Sequence, residues 1–223
     1  MRRAGSESWR FAHDIDQSLH VLLYVRDALR LGVEEGRGIP PPLDGGVADR
    51  SELLDPAARQ EAAQHWPSWW QAAVAERAGT ELGSRPTDAG REEWMRELAA
   101  RHRLVIDPPE WASLSGRPSL QAAARALWGE GCQWFTPARQ PYLPPARRDV
   151  FAWEIVRDAA ERAATDHQVS LAEVNGAALV LIVEGAWREL LSPGVALCST
   201  SAATSPEVAT AILAEVFDSH LAA

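Results

Sequence analysis

The longest unbroken apolar run in the chain, Ala177 to Val183, limits its fold more than any other feature. Residues 178–183 read as a central strand covered on both faces. The run is far short of the roughly 18 residues of a membrane span.

The last third of the chain builds a unit around this strand. Asp149 is placed to cap a helix with Phe151, Ile155, Val156, Ala159 and Ala163 on one face. Val169 to Val174 reads as a strand ending in Asn175-Gly176, a strong short-range hairpin signal. Trp187 to Leu191 and Val195 to Ser199 read as a further strand pair, joined by Ser192-Pro193-Gly194 in a type II turn. Ser205-Pro206-Glu207 opens a final helix, with a stripe of Val208, Ile212, Leu213, Val216, Phe217 and Leu221. The expected unit over 147–223 is a helix, a four-stranded antiparallel meander and a helix, with both helices on one face of the sheet.

Upstream, residues 1–146 read as a mainly helical, Trp-rich region with Pro-rich loops, so the expected class is α+β. Ile15, Leu19, Leu22, Leu23, Val25 and Leu29 recur at helical spacing over about Asp14–Leu31, with Gly32 as the stop. Pro40-Pro41-Pro42 and Gly45-Gly46 mark a loop. Asp55-Pro56 starts a helix to about His65 and Pro67 starts another. Thr87 or Asp88 caps a helix to about His102, Leu104-Val105-Ile106 is a short strand or apolar plug, and Ser119 caps a helix through Trp128. Pro137, Pro141, Pro144 and Pro145 argue against regular structure over Gly129–Arg148, where the main composition boundary falls.

All 22 basic residues are arginine, against 31 Asp plus Glu, for a net charge of -9. Without lysine there is no pyridoxal phosphate or aldolase Schiff base, no Walker A or kinase lysine, and no Ser-x-x-Lys nucleophile. Neither G-x-S-x-G nor G-x-G-x-x-G occurs. These absences lean away from an enzyme, and the acidic balance points away from nucleic acid. Two cysteines, Cys132 and Cys198, and an N-terminus without an apolar signal core lead to the expectation of a cytoplasmic protein with no membrane partner.

Four features are candidate sites. On a helix, His13, Asp16, Gln17 and His20 share one face, so His13, Asp16 and His20 form a candidate ligand set for zinc or iron, in a metal-dependent enzyme or sensor; a solvated helix start is the plainer reading. Asp14-x-Asp16-x-Ser18 resembles the first motif of haloacid-dehalogenase-type phosphatases. The resemblance implies a buried strand just before the pair, then a later basic residue and acidic pair; Trp9 to Ala12 make a poor strand and no last motif follows. Cys198-Ser199-Thr200-Ser201 lies at a strand-to-helix turn, where a nucleophile or an anion site is possible and a buried structural cysteine commoner. Finally, ten Trp outnumber four Phe and two Tyr. Trp66, Trp69 and Trp70 crowd one helix junction, where only one of the last two can face the core of a straight helix, while Trp111 and Trp134 lie beside loops. These five are the candidate binding residues. The expected function is non-catalytic contact with another protein or self-association, as an adaptor, accessory subunit or immunity-type binder. The alternatives are the metal site and a Trp-lined small-ligand pocket.

Overall fold

The computed structural model describes residues 8–34, 36, 38–81, 91–143 and 149–223. In chain order these form strand β1 (Arg10–Asp14), helices α1 (Gln17–Ala28), α2 (Pro56–Glu81), α3 (Arg91–Arg103), α4 (Pro118–Ala138) and α5 (Trp153–His167), strands β2 (Asn175–Leu181), β3 (Arg188–Ser192) and β4 (Val195–Ser199), and helices α6 (Thr200–Thr204) and α7 (Pro206–Leu221). The class is α+β. The cap expected at Thr87 or Asp88 lies outside the described residues.

The sheet corrects the expected meander. Its four strands lie in the order β1-β2-β4-β3, with β1–β2 and β2–β4 parallel and only β3–β4 antiparallel. The fourth strand comes from the start of the chain, so the sheet draws on both sides of the 146/147 boundary. Residues 169–174 form no strand; a short 3-10 turn, Leu171–Glu173, sits there behind a Ser170/Glu173 capping box. Asn175-Gly176 opens β2 instead of turning a hairpin. A Cβ on Gly176 would lie 2.5 Å from Val216 Cγ1 and 3.0 Å from Phe217 Cε1, so glycine there admits α7 against the strand.

The apolar run behaves as expected. β2 lies between two neighbours and is buried from Gly176 to Leu181; β4 is buried throughout. Such strands need cover on both faces, which parallel pairing with helical crossovers supplies. Ala178, Val180, Ala196 and Cys198 pack on α5 and α7, while Leu179, Leu181 and Leu197 pack on α1, α2 and α4. The β3–β4 turn also holds, with Gly194 at φ +82°.

Two helices run longer than the prolines suggested. Pro67 lies inside the continuous α2, and α4 carries through Gly129, Gly131 and Pro137 to Ala138. Gly131 is where α4 meets α1: a Cβ there would sit 2.8 Å from Val21 Cγ1, whereas one on Gly129 would meet nothing within 4 Å. In the same helix, Gly131→Ala should therefore lower stability by about 1–3 kcal/mol, and Gly129→Ala should raise it by about 0.5–1 kcal/mol. Urea denaturation of the two variants checks the pair; equal shifts would contradict the α1–α4 contact.

Candidate functional site

Four of the five candidate tryptophans belong to the core. Trp66, Trp69, Trp70 and Trp111 are each at most 2% exposed. The expectation that only one of Trp69 and Trp70 is buried fails because α2 is covered on two sides. Trp66 and Trp70 stack at 5.6 Å toward α1, and Trp69 turns the other way to meet Trp111 edge-on at 5.7 Å. Their indole N–H groups donate to Leu22 O (Trp66), Val105 O (Trp69) and Gly38 O (Trp70), at 2.9, 3.1 and 2.6 Å. Trp134 is half-buried and lines a wide, shallow depression with Tyr24, Arg50 and Glu130. There Arg50 Nε and the Tyr24 hydroxyl both engage Glu130, at 3.0 and 3.3 Å, which leaves the charges paired.

The His13/Asp16/His20 set is not brought together on a helix face, because the helix starts later. His13 is in β1, and Asp16 is the N-cap of α1, its Oδ1 accepting from Leu19 N at 2.9 Å. His20 is fully buried. Its Nδ1 lies 2.6 Å from the Asp16 carbonyl, which only accepts, so Nδ1 carries the proton; Nε2 accepts from Ile182 N–H at 2.8 Å. Both ring nitrogens are thus engaged within the chain. Among the described residues no group of three or more His, Cys, Asp or Glu side chains is arranged to hold a metal ion.

Unlike the sequence expectation, a strand does precede Asp14-x-Asp16, but it is the sheet's edge and both carboxylates are spoken for. Arg77 in α2 bridges Asp14 and Asp16 at 3.0 Å each. Cys198 is fully buried, and burial pushes its thiol up to about 12, so it carries no thiolate at neutral pH. Ser199 Oγ accepts from Trp187 N and Ala202 N, both at 3.1 Å, which ties up the strand-to-helix turn.

A different cleft, of about 580 Å³, opens beside β1. Strand alternation sends Trp9, Phe11, His13 and Ile15 to its floor. One wall is the turn Val150–Trp153 entering α5; the other is Arg139, at the end of α4, with Tyr142 and Leu143. Trp9 and Trp153 pack at 4.7 Å, and Phe151 meets Phe11 edge-on at 5.1 Å and His13 at 6.0 Å. Phe151 takes φ +51°, with its N–H donating to Ala203 O at 3.0 Å. Trp153 is 62% exposed. The Arg139 guanidinium lies 5.2 Å over the Phe135 ring, and its Nε is buried without a hydrogen-bond partner among the described residues. Burial lowers the pKa of His13, against a smaller opposing effect of Asp14, so the imidazole is neutral at neutral pH.

The chain matches no protein-family model, no curated protein and no solved structure. The cleft therefore rests on its own geometry. Trp9, Trp153 and Arg139 were not among the sequence candidates, although two signals point to the two tryptophans. The apolar and aromatic residues at positions 9, 11, 13 and 15 repeat every second residue, and Trp153 falls off the apolar stripe of its helix. No helix among the described residues is long and apolar enough to cross a membrane.

His20 gives this region a pH dependence. Burial is the main cause that lowers its pKa from 6.5 to about 4. The unfolded chain therefore binds the proton first. The contribution of neutral His20 is fully present above about pH 6.5 and is lost as pH falls toward 4, in total on the order of 3 kcal/mol. His20→Gln, which keeps a donor and an acceptor, should be less stable at pH 7 and should lose about 2 kcal/mol less than wild type between pH 7 and 4.5. Unfolding free energies measured at both pH values check this; identical pH slopes would show that His20 does not titrate on unfolding.

Proposed function

We propose that this protein binds a small, largely apolar organic molecule in the cleft between β1 and the start of α5. The observation that carries the reading is the concentration of aromatic rings around one concave space of ligand size. A volume of 580 Å³ lies inside the roughly 300–1,000 Å³ of small-molecule pockets. Phe11 and Phe151 brace each other within it, while Trp153 spends much of its surface on water at the rim. A single exposed Trp is ordinary, but one continuous with an aromatic hollow forms an apolar patch of the kind that marks a binding site. By contrast, four of the five tryptophans favoured from sequence alone, Trp66, Trp69, Trp70 and Trp111, serve the core.

The experiment is a titration of indole emission against a panel of aromatic and aliphatic metabolites, on wild type and Trp153→Ala. Because Trp153 is largely exposed, its removal should leave the melting temperature within about 2 °C and weaken any ligand at least tenfold. Equal affinity in the two proteins would remove the cleft from consideration.

A second reading, contact with another protein, is favoured by the apolar groups on and just after α3. Met95 is 51% and Leu104 76% exposed. Self-association through them would appear as a concentration-dependent mass in light scattering, abolished by Leu104→Glu. A monomer at all concentrations, with or without the substitution, counts against it.

A further inference from the structure

We infer that the ligand of the β1–α5 cleft is an organic anion, a carboxylate or its equivalent on an aromatic body, and that Arg139 is the residue that holds its charge. This rests on the cleft being the ligand site, and it adds what the ligand must carry.

The inference starts from an unsatisfied group. A buried polar atom without a partner is uncommon in a folded protein, and one on a permanently charged side chain is costly. Arg139 Nε is such an atom. Its guanidinium rests on the face of Phe135, a contact that positions the fork and leaves the Nε–H unmatched among the described residues. The other charged groups lining the cleft are accounted for. Asp14 is bridged to Arg77 at 3.0 Å, and Asp149 is engaged within the chain. Glu154 is exposed in the first turn of α5, where the helix dipole favours an acid. His13 is neutral. Arg139 is therefore the one charge in the cleft, among the described residues, that wants a counter-charge from outside.

The surroundings agree with an anion. α5 opens on Ala152 with no side-chain cap, and its first residues, Trp153 and Glu154, line the same cleft. Arginine offers paired donors that match a carboxylate in its own plane. A ligand whose carboxylate meets Arg139 places its apolar body along Phe11 and Phe151 toward the Trp9–Trp153 pair. A cation finds the opposite: an unscreened guanidinium, and two indoles already packed on each other instead of spaced around a gap.

The test is calorimetric titration of the full chain with 2-naphthoate, its neutral amide 2-naphthamide and the cation 2-naphthylmethylamine. The carboxylate should bind at least tenfold more tightly than the amide, and the amine more weakly than either. Arg139→Gln should close the carboxylate–amide gap to within about twofold in a protein that remains folded. Arg139→Lys should restore part of the gap, and Arg50→Gln, in the shallow depression, should leave it intact. Binding of the amide or the amine as tightly as the carboxylate overturns the anion assignment and leaves the cleft as a ligand site. A carboxylate preference that survives Arg139→Gln also overturns it. No binding by any of the three probes, in a folded protein, overturns the cleft reading itself.

Discussion

Burial of β2 on both faces is the constraint from which the remaining architecture follows. A strand with Ala177, Leu179 and Leu181 on one side and Ala178 and Val180 on the other has no face to give to water. It must lie inside a sheet, and helices must cover that sheet twice. The two layers are made differently. On the α5–α7 side the cover is close, and Gly176 removes the side chain that would hold α7 off. On the other side α1 is itself buried almost all round, so α2 and α4 must cover the helix as well as the sheet. His20 links these parts: one ring joins the start of α1 to the peptide that follows β2.

That double duty explains the tryptophans. The helices that enclose α1 supply alanine at many inward positions, such as Ala62, Ala73, Ala123 and Ala124. Small side chains bring the helices close but leave volume between them, and a close-packed interior needs that volume filled. Trp66, Trp69, Trp70 and Trp111 fill it. Three of them find backbone carbonyls for their N–H groups, so bulk is gained without stranding those donors. The proline loop is tied to the same layer. The carbonyls of Pro40 and Pro41 receive the buried Arg26 guanidinium at 2.6 and 2.8 Å, and Arg26 lies over the Trp66 ring.

What could be read from the sequence divides along local and non-local lines. The Pro-Gly turn, the Asp55-Pro56 start of α2 and the Pro206 start of α7 depend on a few adjacent residues, and each appears where expected; the central strand expected at 178–183 is present but runs Asn175–Leu181. The sheet topology does not, since β1 and β2 pair across some 160 residues of chain. Nothing near Asn175-Gly176 distinguishes a turn from a strand that must clear α7. The shared helix face expected for His13, Asp16 and His20 turned on one boundary: α1 begins at Gln17 instead of Asp14, which leaves His13 in a strand. The cleft was partly legible. Alternation through Trp9, Phe11, His13 and Ile15, with Arg10 and Asp14 between them, is a strand signature. Arg139 was invisible, because whether an arginine has a partner is a property of the assembled fold.

The position of the cleft follows from the same topology. β1 is an edge strand, and Arg10 N–H donates to Val174 O. In a parallel ladder alternate residues bond to the neighbour, so Phe11 and His13 aim their backbone groups away from β2. An edge of this kind invites unwanted pairing unless it is covered or made unsuitable. Here the approach to α5 covers it: Val150 to Trp153 pass beside β1 with Phe151 held in the left-handed region, and the rings of both segments meet. The contact is incomplete, leaving a hollow with an exposed indole at its rim and an unmatched guanidinium in its wall. Elsewhere among the described residues Trp66, Trp69, Trp70 and Trp111 are buried in the core, and Arg26, Arg50 and Arg77 are paired with carboxylates. The hollow is where both habits lapse together, and one amphipathic anion would satisfy both.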